Sequence, residues 1–229
     1  MSLVVVKNLK KTYLSGNAEV YAVDDVSFSI KKGEFVVLAG PSGSGKTTIL
    51  NLIGAMDSIT SGKILIENID TSKLSKDGKS DFRMNKIGFI FQNFNLIPVL
   101  TVYENLEFIL ELAKKYSSKE RKLKIENLLK KLDIWNLKDR KPAELSGGQQ
   151  QRVAIARALV KDPILVLADE PTANLDSHTG DSVLNLMKRL NEEEDVTFIF
   201  SSHDNLIIER AKRVIRLRDG QLVGDNHDN

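Results

Sequence analysis

The chain has 229 residues, 41% apolar and 28% charged, with 33 Lys and Arg against 31 Asp and Glu, a net charge of +2. That length supports one well-buried domain, or a domain with a subdomain, and the near-balanced charge lacks the clustered basic excess of a nucleic-acid binder. With no cysteine and only three scattered histidines, disulfides, thiolate metal sites, thiol catalysis and an all-histidine metal site are excluded.

In chain order, Met1-Ser2-Leu3-Val4-Val5-Val6-Lys7 has neither a basic start nor a long apolar stretch, so no leader is expected. Residues 4–13 and 21–30 read as strands; in the second, Val23, Val26, Phe28 and Ile30 are apolar and Asp24-Asp25 breaks strict alternation. Lys32-Gly33 turns the chain into a strand over residues 35–39. Next come Gly40-Pro41-Ser42-Gly43-Ser44-Gly45-Lys46-Thr47 and then a helix, beginning Thr48-Ile49-Leu50, that runs to about Ala55. Strand, glycine-rich turn and helix is the setting in which the pattern G-x-x-x-x-G-K-[ST] signifies a phosphate-binding loop. Gly43 and Gly45 permit backbone dihedrals that turn amides inward as an anion nest, and the helix start adds its positive dipole end. Lys46 can reach the β- and γ-phosphates, and the Thr47 hydroxyl suits Mg²⁺, a hard cation.

Thr60-Ser61-Gly62-Lys63 is a turn and residues 64–66 a short strand. Residues 68–86 are polar, with Gly78 and few large apolar side chains; they read as a solvated surface, either an exposed insertion or a weak helix around 79–84. Residues 87–91 form an apolar strand ending at Gln92. The longest uncharged run, 87–103, is interrupted by Gly88, Gln92, Asn93, Asn95 and Pro98 and fails as a membrane span. A soluble, cytoplasmic protein is expected, reaching a membrane only through a partner.

From Val102 the period changes. Val102, Leu106, Ile109, Leu110 and Leu112-Ala113 recur near helical spacing, and residues 118–132 place Leu123, Leu128, Leu129 and Leu132 among lysines. Residues 93–158 therefore read as a mostly helical subdomain inserted into an α/β core made of 1–92 and 159–229, the whole forming one domain over 1–229. Leu145-Ser146-Gly147-Gly148-Gln149-Gln150-Gln151-Arg152 precedes another helix; Ser146 with Gln149 is a capping box, while two glycines weaken a helix start and expose amides as a second anion site. Residues 164–168 are a continuous apolar run, as in a strand buried on both faces of a parallel sheet, and end in Asp169-Glu170. Two carboxylates there are costly unless they meet cations or water. Beside a phosphate loop, Asp169 suits Mg²⁺, directly or through water, and Glu170 suits a general base. A helix over 177–190, a buried strand over 196–200 and a hairpin with Asp219-Gly220 at its turn complete an α/β fold with a mainly parallel sheet. His178 lies on the predicted helix and reads as a surface residue.

Leu145-Ser146-Gly147-Gly148-Gln149 resembles the signature motif of ATP-binding-cassette (ABC) ATPases, and the other motifs stand in that family's order over nearly the whole chain. The resemblance implies the P-loop NTPase fold of the ABC type, with an N-terminal antiparallel β subdomain. It makes Gly40 to Thr47, with Thr48, the Walker A cradle, Gln92 the Q-loop glutamine, near metal and water, and residues 164–169 the Walker B strand. Glu170 resembles the catalytic glutamate, Asn174-Leu175-Asp176 the D-loop, His203 the γ-phosphate-contacting switch histidine and Tyr13 the aromatic that stacks on adenine. A serine, Ser202, stands where family members more often have threonine. Such domains dimerise head to tail, so Ser146, Gly147, Gly148 and Gln149 would meet the ATP bound by the other copy and Asp176 would link the sites. The cofactors implied are ATP and Mg²⁺; the partners are a second copy and an integral membrane permease, with no nucleic acid. The setting implied is the inner face of a bacterial membrane. Residues 20–26 and 87–98 look most like the lipoprotein-release, macrolide-export and cell-division subfamily, and the region of Phe94, Leu96 and Pro98 reads either as a permease dock or as plain core. A soluble DNA- or ribosome-directed relative would want a coiled-coil insertion or a second cassette, and a GTPase an Asn-Lys-x-Asp motif; the chain has none of these. An ATP-binding regulator with little turnover stays open.

Overall fold

The computed structural model describes residues 2–16 and 18–227; residues 1, 17, 228 and 229 of the expected domain lie outside. Two long strands, β1 (Ser2–Ser15) and β2 (Ala18–Lys31), open the chain, followed by β3 (Phe35–Ala39) and helix α1 (Lys46–Ile53). Next come β4 (Ser61–Ile66), the two-residue β5 (Ile69–Asp70), α2 (Lys76–Lys86) and β6 (Ile87–Ile90). Helices α3 (Val102–Ala113), α4 (Ser118–Lys131) and α5 (Gly147–Leu159) separate β6 from β7 (Leu165–Asp169). The chain closes with α6 (Ser177–Glu194), β8 (Thr197–Ser202), α7 (Asn205–Arg210), β9 (Arg213–Arg218) and β10 (Gln221–His227).

Two sheets result. An antiparallel one runs β2-β1-β4-β5, and a six-stranded one runs β10-β9-β3-β8-β7-β6, with β10 the antiparallel edge and the remaining neighbours parallel. All five residues of β3 are buried, and they alternate between two cores. Phe35, Val37 and Ala39 pack with α3, α4, α5 and α6 on one face; Val36 and Leu38 pack with α1 and the antiparallel sheet on the other. That double burial is why the strand sequence has no polar alternation.

Helices α3, α4 and α5 begin where side-chain oxygens satisfy first-turn amides. Thr101 with Glu104, Ser117 with Glu120 and Ser146 with Gln149 form reciprocal capping boxes at α3, α4 and α5. The buried stripe of α3 is Val102, Leu106 and Leu110, and that of α4 is Ile125 and Leu129.

Residues 68–86 depart from the expected solvated surface. They form β5, a short 3₁₀ turn and the eleven-residue α2, capped by Ser75. Its anchor is Phe82, the single buried residue of an otherwise polar helix, which joins the core under the antiparallel sheet. Arg83 Nη1 adds a 2.7 Å hydrogen bond to the Ala55 carbonyl. Phe82 and Met84, two residues apart, give no helical period to read, which is why the sequence underplayed this helix. Phe82→Ala is expected to cost about 3–5 kcal/mol, the range for emptying a buried aromatic site, measured as a lower urea midpoint. The stretch from Asn93 to Leu100 is likewise not helical, so helix begins only at Val102. The two opening strands are longer than expected, 14 residues each, because each finds ladder partners along its whole length.

Candidate functional site

The parallel sheet gathers the expected residues at one end. The glycine loop follows β3, Gln92 lies two residues beyond β6, Asp169 ends β7 and His203 immediately follows β8. These are the carboxyl ends of neighbouring parallel strands, where α/β sheets bind ligands. Register then sets the fine positions: β8 lies between β3 and β7, with Ala39 opposite Ser202 and Asp169 opposite Ser201.

The loop itself is sterically committed. A Cβ at Gly40 would stand 2.3 Å from the Leu217 carbonyl oxygen, and one at Gly45 2.4 Å from that of Ala22. Gly45 also has φ 98°, a left-handed value that suits glycine, and it opens α1 without a side-chain cap. The first-turn amides are therefore free of side-chain acceptors, at the positive end of the helix dipole. Lys46 is buried, 6% exposed, and its Nζ donates to the carbonyls of Gly40 at 2.7 Å and Pro41 at 2.9 Å. The ammonium is thus folded under the loop. Ser44 Oγ is buried without a hydrogen-bond partner. Gly43, Gly45, Lys46, Thr47, Thr48 and Ala22 line a concavity of about 140 Å³. Pro41 and Ser42 form its exposed outer lip.

Asp169 ties the strands together. Its Oδ1 accepts from Thr47 Oγ1 at 2.9 Å and from Ser201 Oγ at 2.6 Å. Glu170 is held in the left-handed region, φ 46°, with its amide donating to the Ser201 carbonyl at 3.0 Å. Such a conformation costs of order 1–3 kcal/mol for a residue with a Cβ and concentrates at functional sites. The Glu170 side chain is 16% exposed, and its Oε1 lies 2.7 Å from Nδ1 of His203. That contact leaves Nε2 as the other ring nitrogen, on a side chain 60% exposed. Gln92 is exposed on the adjacent strand end.

Tyr13 has a support that the sequence did not announce. Its hydroxyl donates to Asp57 Oδ2 at 2.7 Å, while Lys11 Nζ donates to Asp57 Oδ1 at 2.9 Å and lies 4.6 Å from the Tyr13 ring centroid. Burial and the bond to Asp57 raise the Tyr13 pKa, and the Thr48 side chain, also hydrogen-bonded to it, works against that rise. Burial would raise Asp57, yet the bonds from Lys11 and Tyr13 outweigh it and hold its carboxyl below the usual range.

The second set of residues sits elsewhere. Ser146, Gly148 and Gln149 line a depression of about 400 Å³ with Arg152, His178 and Thr179, and no residue of the glycine loop borders it. His178 is exposed, as expected of a surface residue. Ser146 Oγ accepts from the Gln149 amide at 3.3 Å, and Gln149 Oε1 accepts from the Ser146 amide at 2.9 Å. Asp176 caps α6, accepting from the Thr179 amide at 3.0 Å; the Thr179 side chain first, and then this and the neighbouring backbone amides, lower its pKa. Asp57 and Ser201 belong to the surroundings that sequence reasoning missed; Asn174 and Gln151 stood in the motifs already quoted, but their contacts were not foreseen. Gln151 is fully buried, and its Nε2 donates to the Pro171 carbonyl at 2.6 Å, tying α5 to the residue after Glu170. Asp57 and Ser201 carry no motif; each acquires its position only from strand register and packing.

Known proteins resemble this arrangement along the chain. The profile of the family described as ABC transporter matches residues 23–173. The ABC transporter ATP-binding protein MJ0796 of Methanocaldococcus jannaschii is 47% identical over 225 residues, 96% of this chain and 95% of that protein. The macrolide export ATP-binding/permease protein MacB of Mannheimia succiniciproducens is 44% identical over 225 residues, and the match spans 98% of this chain but only 35% of MacB. Among solved structures, the dimeric MJ0796 cassette in a post-hydrolysis state with ADP and Pi is similar at TM-score 0.89 and 45% identity, covering 98% of each chain. The glycine-loop concavity at the strand ends, the Ser-Gly-Gly turn on a separate face and these matches along the chain lead to one conclusion: the chain belongs to the ABC transporter family, as one of its ATP-binding cassettes.

Proposed function

We propose that this chain is the nucleotide-binding subunit of an ABC transporter, which binds MgATP, closes head to tail on a second copy and hydrolyses ATP to move a membrane permease. The observation that carries the reading is the split of anion-binding features between two faces. The loop concavity, about 140 Å³, is smaller than the roughly 300–1,000 Å³ of sites that enclose a small ligand, while the Ser146 turn borders a separate depression. A two-fold pair supplies each nucleotide with one cradle and one turn, since an isologous interface brings each surface to the other. The dimer described for MJ0796 and the permease joined to the ATP-binding part in MacB support the same assembly. Among the described residues no helix is long and apolar enough to cross a membrane, so we place the protein on the cytoplasmic membrane face through its permease.

In this reading Gly40, Pro41, Ser42, Gly43, Ser44, Gly45, Lys46, Thr47 and Thr48 hold the phosphates, and Tyr13 offers its ring to the base. Thr47 Oγ1 and Asp169 Oδ1 are two hard oxygens 2.9 Å apart, and among the described residues no cluster of three or more His, Asp or Glu competes for a metal. That donor set fits Mg²⁺, which takes one or two protein oxygens and completes its shell with phosphate and water; Thr47 and Asp169, with Gln92, would hold it, and when bound it would neutralise phosphate charge. Glu170 accepts the proton of the attacking water, His203 holds the γ-phosphate through Nε2, and Ser146, Gly147, Gly148 and Gln149 close the site from the other copy. Asp176 links the two sites. Residues 1–92 and 159–229 form the nucleotide-holding part, and 93–158 the helical part that carries the turn.

For the permease dock we favour a groove of about 260 Å³ beside residues 94–98, lined by Phe89, Phe91, Ile97 and Phe108. Leu96 packs on the core, which leaves Pro98 as the exposed member of the expected trio. Lys161 borders the groove with its pKa lowered by burial to about 8.

Mixing two defective variants tests the shared sites. A Cβ at Gly147 would have the flexible Leu175 side chain nearest, at 3.3 Å, with the Asn174 carbonyl oxygen at 3.7 Å and the Phe94 ring at 4.0 Å in ordinary contact, and an acid in a first helical turn is favourable. Gly147→Asp therefore folds but repels a phosphate. Gly147→Asp and Lys46→Ala should each lose ATPase activity by roughly 10²-fold or more. Their equimolar mixture should regain about a quarter of wild-type activity, since half of the dimers hold one intact site. A mixture no more active than its parts would sink the shared site.

A further inference from the structure

The segment leaving β6 is held in a conformation that its own residues disfavour. Phe94 and Asn95 both have left-handed backbone, φ 58° and 52°, and a bulky residue adopts that conformation only when its surroundings enforce it. Two side chains from distant parts of the chain grip this segment. From α5, the Arg157 guanidinium donates through Nη2 to the Phe94 carbonyl at 2.8 Å and through Nη1 to the Asn95 carbonyl. From the loop after β7, Asn174 Nδ2 donates to the Gln92 carbonyl at 2.9 Å and to Asn93 Oδ1 at 3.0 Å.

The next stretch is fixed separately. Buried Asn105 accepts from the Ile97 amide at 2.9 Å and donates to the carbonyls of Ile97, Leu100 and Thr101. Residues 92–95 thus depend on Arg157 and Asn174, while residues 97–101 depend on Asn105. Burial works against the charged form of Arg157, and its hydrogen-bond acceptors here are main-chain carbonyls, not a carboxylate. An apolar side chain of similar length would fill the space without that desolvation cost. What the guanidinium adds is a planar fork that engages two consecutive carbonyls at once.

We propose that Arg157 and Asn174 are positioning residues that fix the direction of Gln92, tying the reactive strand ends to α5. The proposal rests on the reading of Gln92 as part of the nucleotide site. The test is a double-mutant cycle with steady-state ATPase kinetics on the full chain and thermal unfolding as a folding check. Gln92→Ala is expected to lower kcat at least tenfold, and Arg157→Met about fivefold with KM within about twofold. Arg157→Lys should restore part of the loss through a single retained contact, and Asn174→Ala should lower kcat about threefold. The deciding readout is coupling: Gln92→Ala with Arg157→Met should be no slower than Gln92→Ala alone, because a clamp has nothing left to position. A merely structural role would give multiplying effects.

Multiplying effects, or wild-type kcat in a folded Arg157→Met, overturn the proposal. Should Arg157→Met not fold, Asn174→Ala, an exposed position, runs the same cycle with Gln92→Ala and is judged the same way. Wild-type turnover in Gln92→Ala would refute the reading of Gln92 and the clamp with it. Impaired Gln92→Ala beside unimpaired Arg157→Met and Asn174→Ala would refute the clamp alone.

Discussion

Glu170→Gln is expected to lower kcat by about 10²–10⁴-fold, the contribution of a positioned general base, and to convert the MgATP-loaded protein into a long-lived dimer. The substitution keeps the size of the side chain and an oxygen that can bond His203, now 2.7 Å away, but removes the oxygen able to accept a proton. It leaves the phosphate loop untouched, so ATP affinity should hold. The backbone strain at Glu170, φ 46°, is common to both side chains, and folding stability should change little. Closure then proceeds and cleavage does not, so the closed pair accumulates, because ATP binding and association are linked free energies. Light scattering should show the mass doubling with MgATP and reverting when nucleotide is removed. A variant that stays monomeric at saturating MgATP would break the two-copy reading; wild-type turnover would remove Glu170 from its role.

Lys46→Ala is expected to weaken ATP binding by roughly 10- to 10⁴-fold, the loss of one or two charge-assisted hydrogen bonds at about 1.5–3 kcal/mol each, and to abolish turnover at cellular nucleotide concentrations. Its ammonium is already within hydrogen-bond reach of the Gly40 and Pro41 carbonyls, so the charge sits beneath the phosphates' path without a carboxylate to neutralise it. The fold should survive, since Pro41 is exposed and Gly40 half-buried, so water can reach the carbonyls that lose their donor. Calorimetric titration with MgATP measures the change directly; unaltered affinity in a folded variant would contradict the cradle.

Much of this was legible because the chemistry is local. Glycines followed by Lys46-Thr47, apolar runs that end at Gln92 and Asp169-Glu170, and the Ser146–Gln149 box each occupy a few consecutive residues. The supports were not legible. Ser201 is one serine among many until the parallel register sets it opposite Asp169. Asp57 meets Tyr13 across 44 residues, and Arg157 meets Phe94 across 63. Helix α2, offered only as a weak helix around 79–84, is longer than that because Phe82 anchors it.

The sequence by itself determined which groups carry charge, hydroxyls and bare amides, and in what order they come, because short-range dihedral and capping preferences act between near neighbours. Only the tertiary structure decided which of them face a common point. Strand order β3-β8-β7-β6 brings the cradle, His203, Glu170 and Gln92 to one edge and puts the Ser146 turn on another face. That choice belongs to sheet pairing and to burial of both faces of the strands, which are long-range and sum over the whole core.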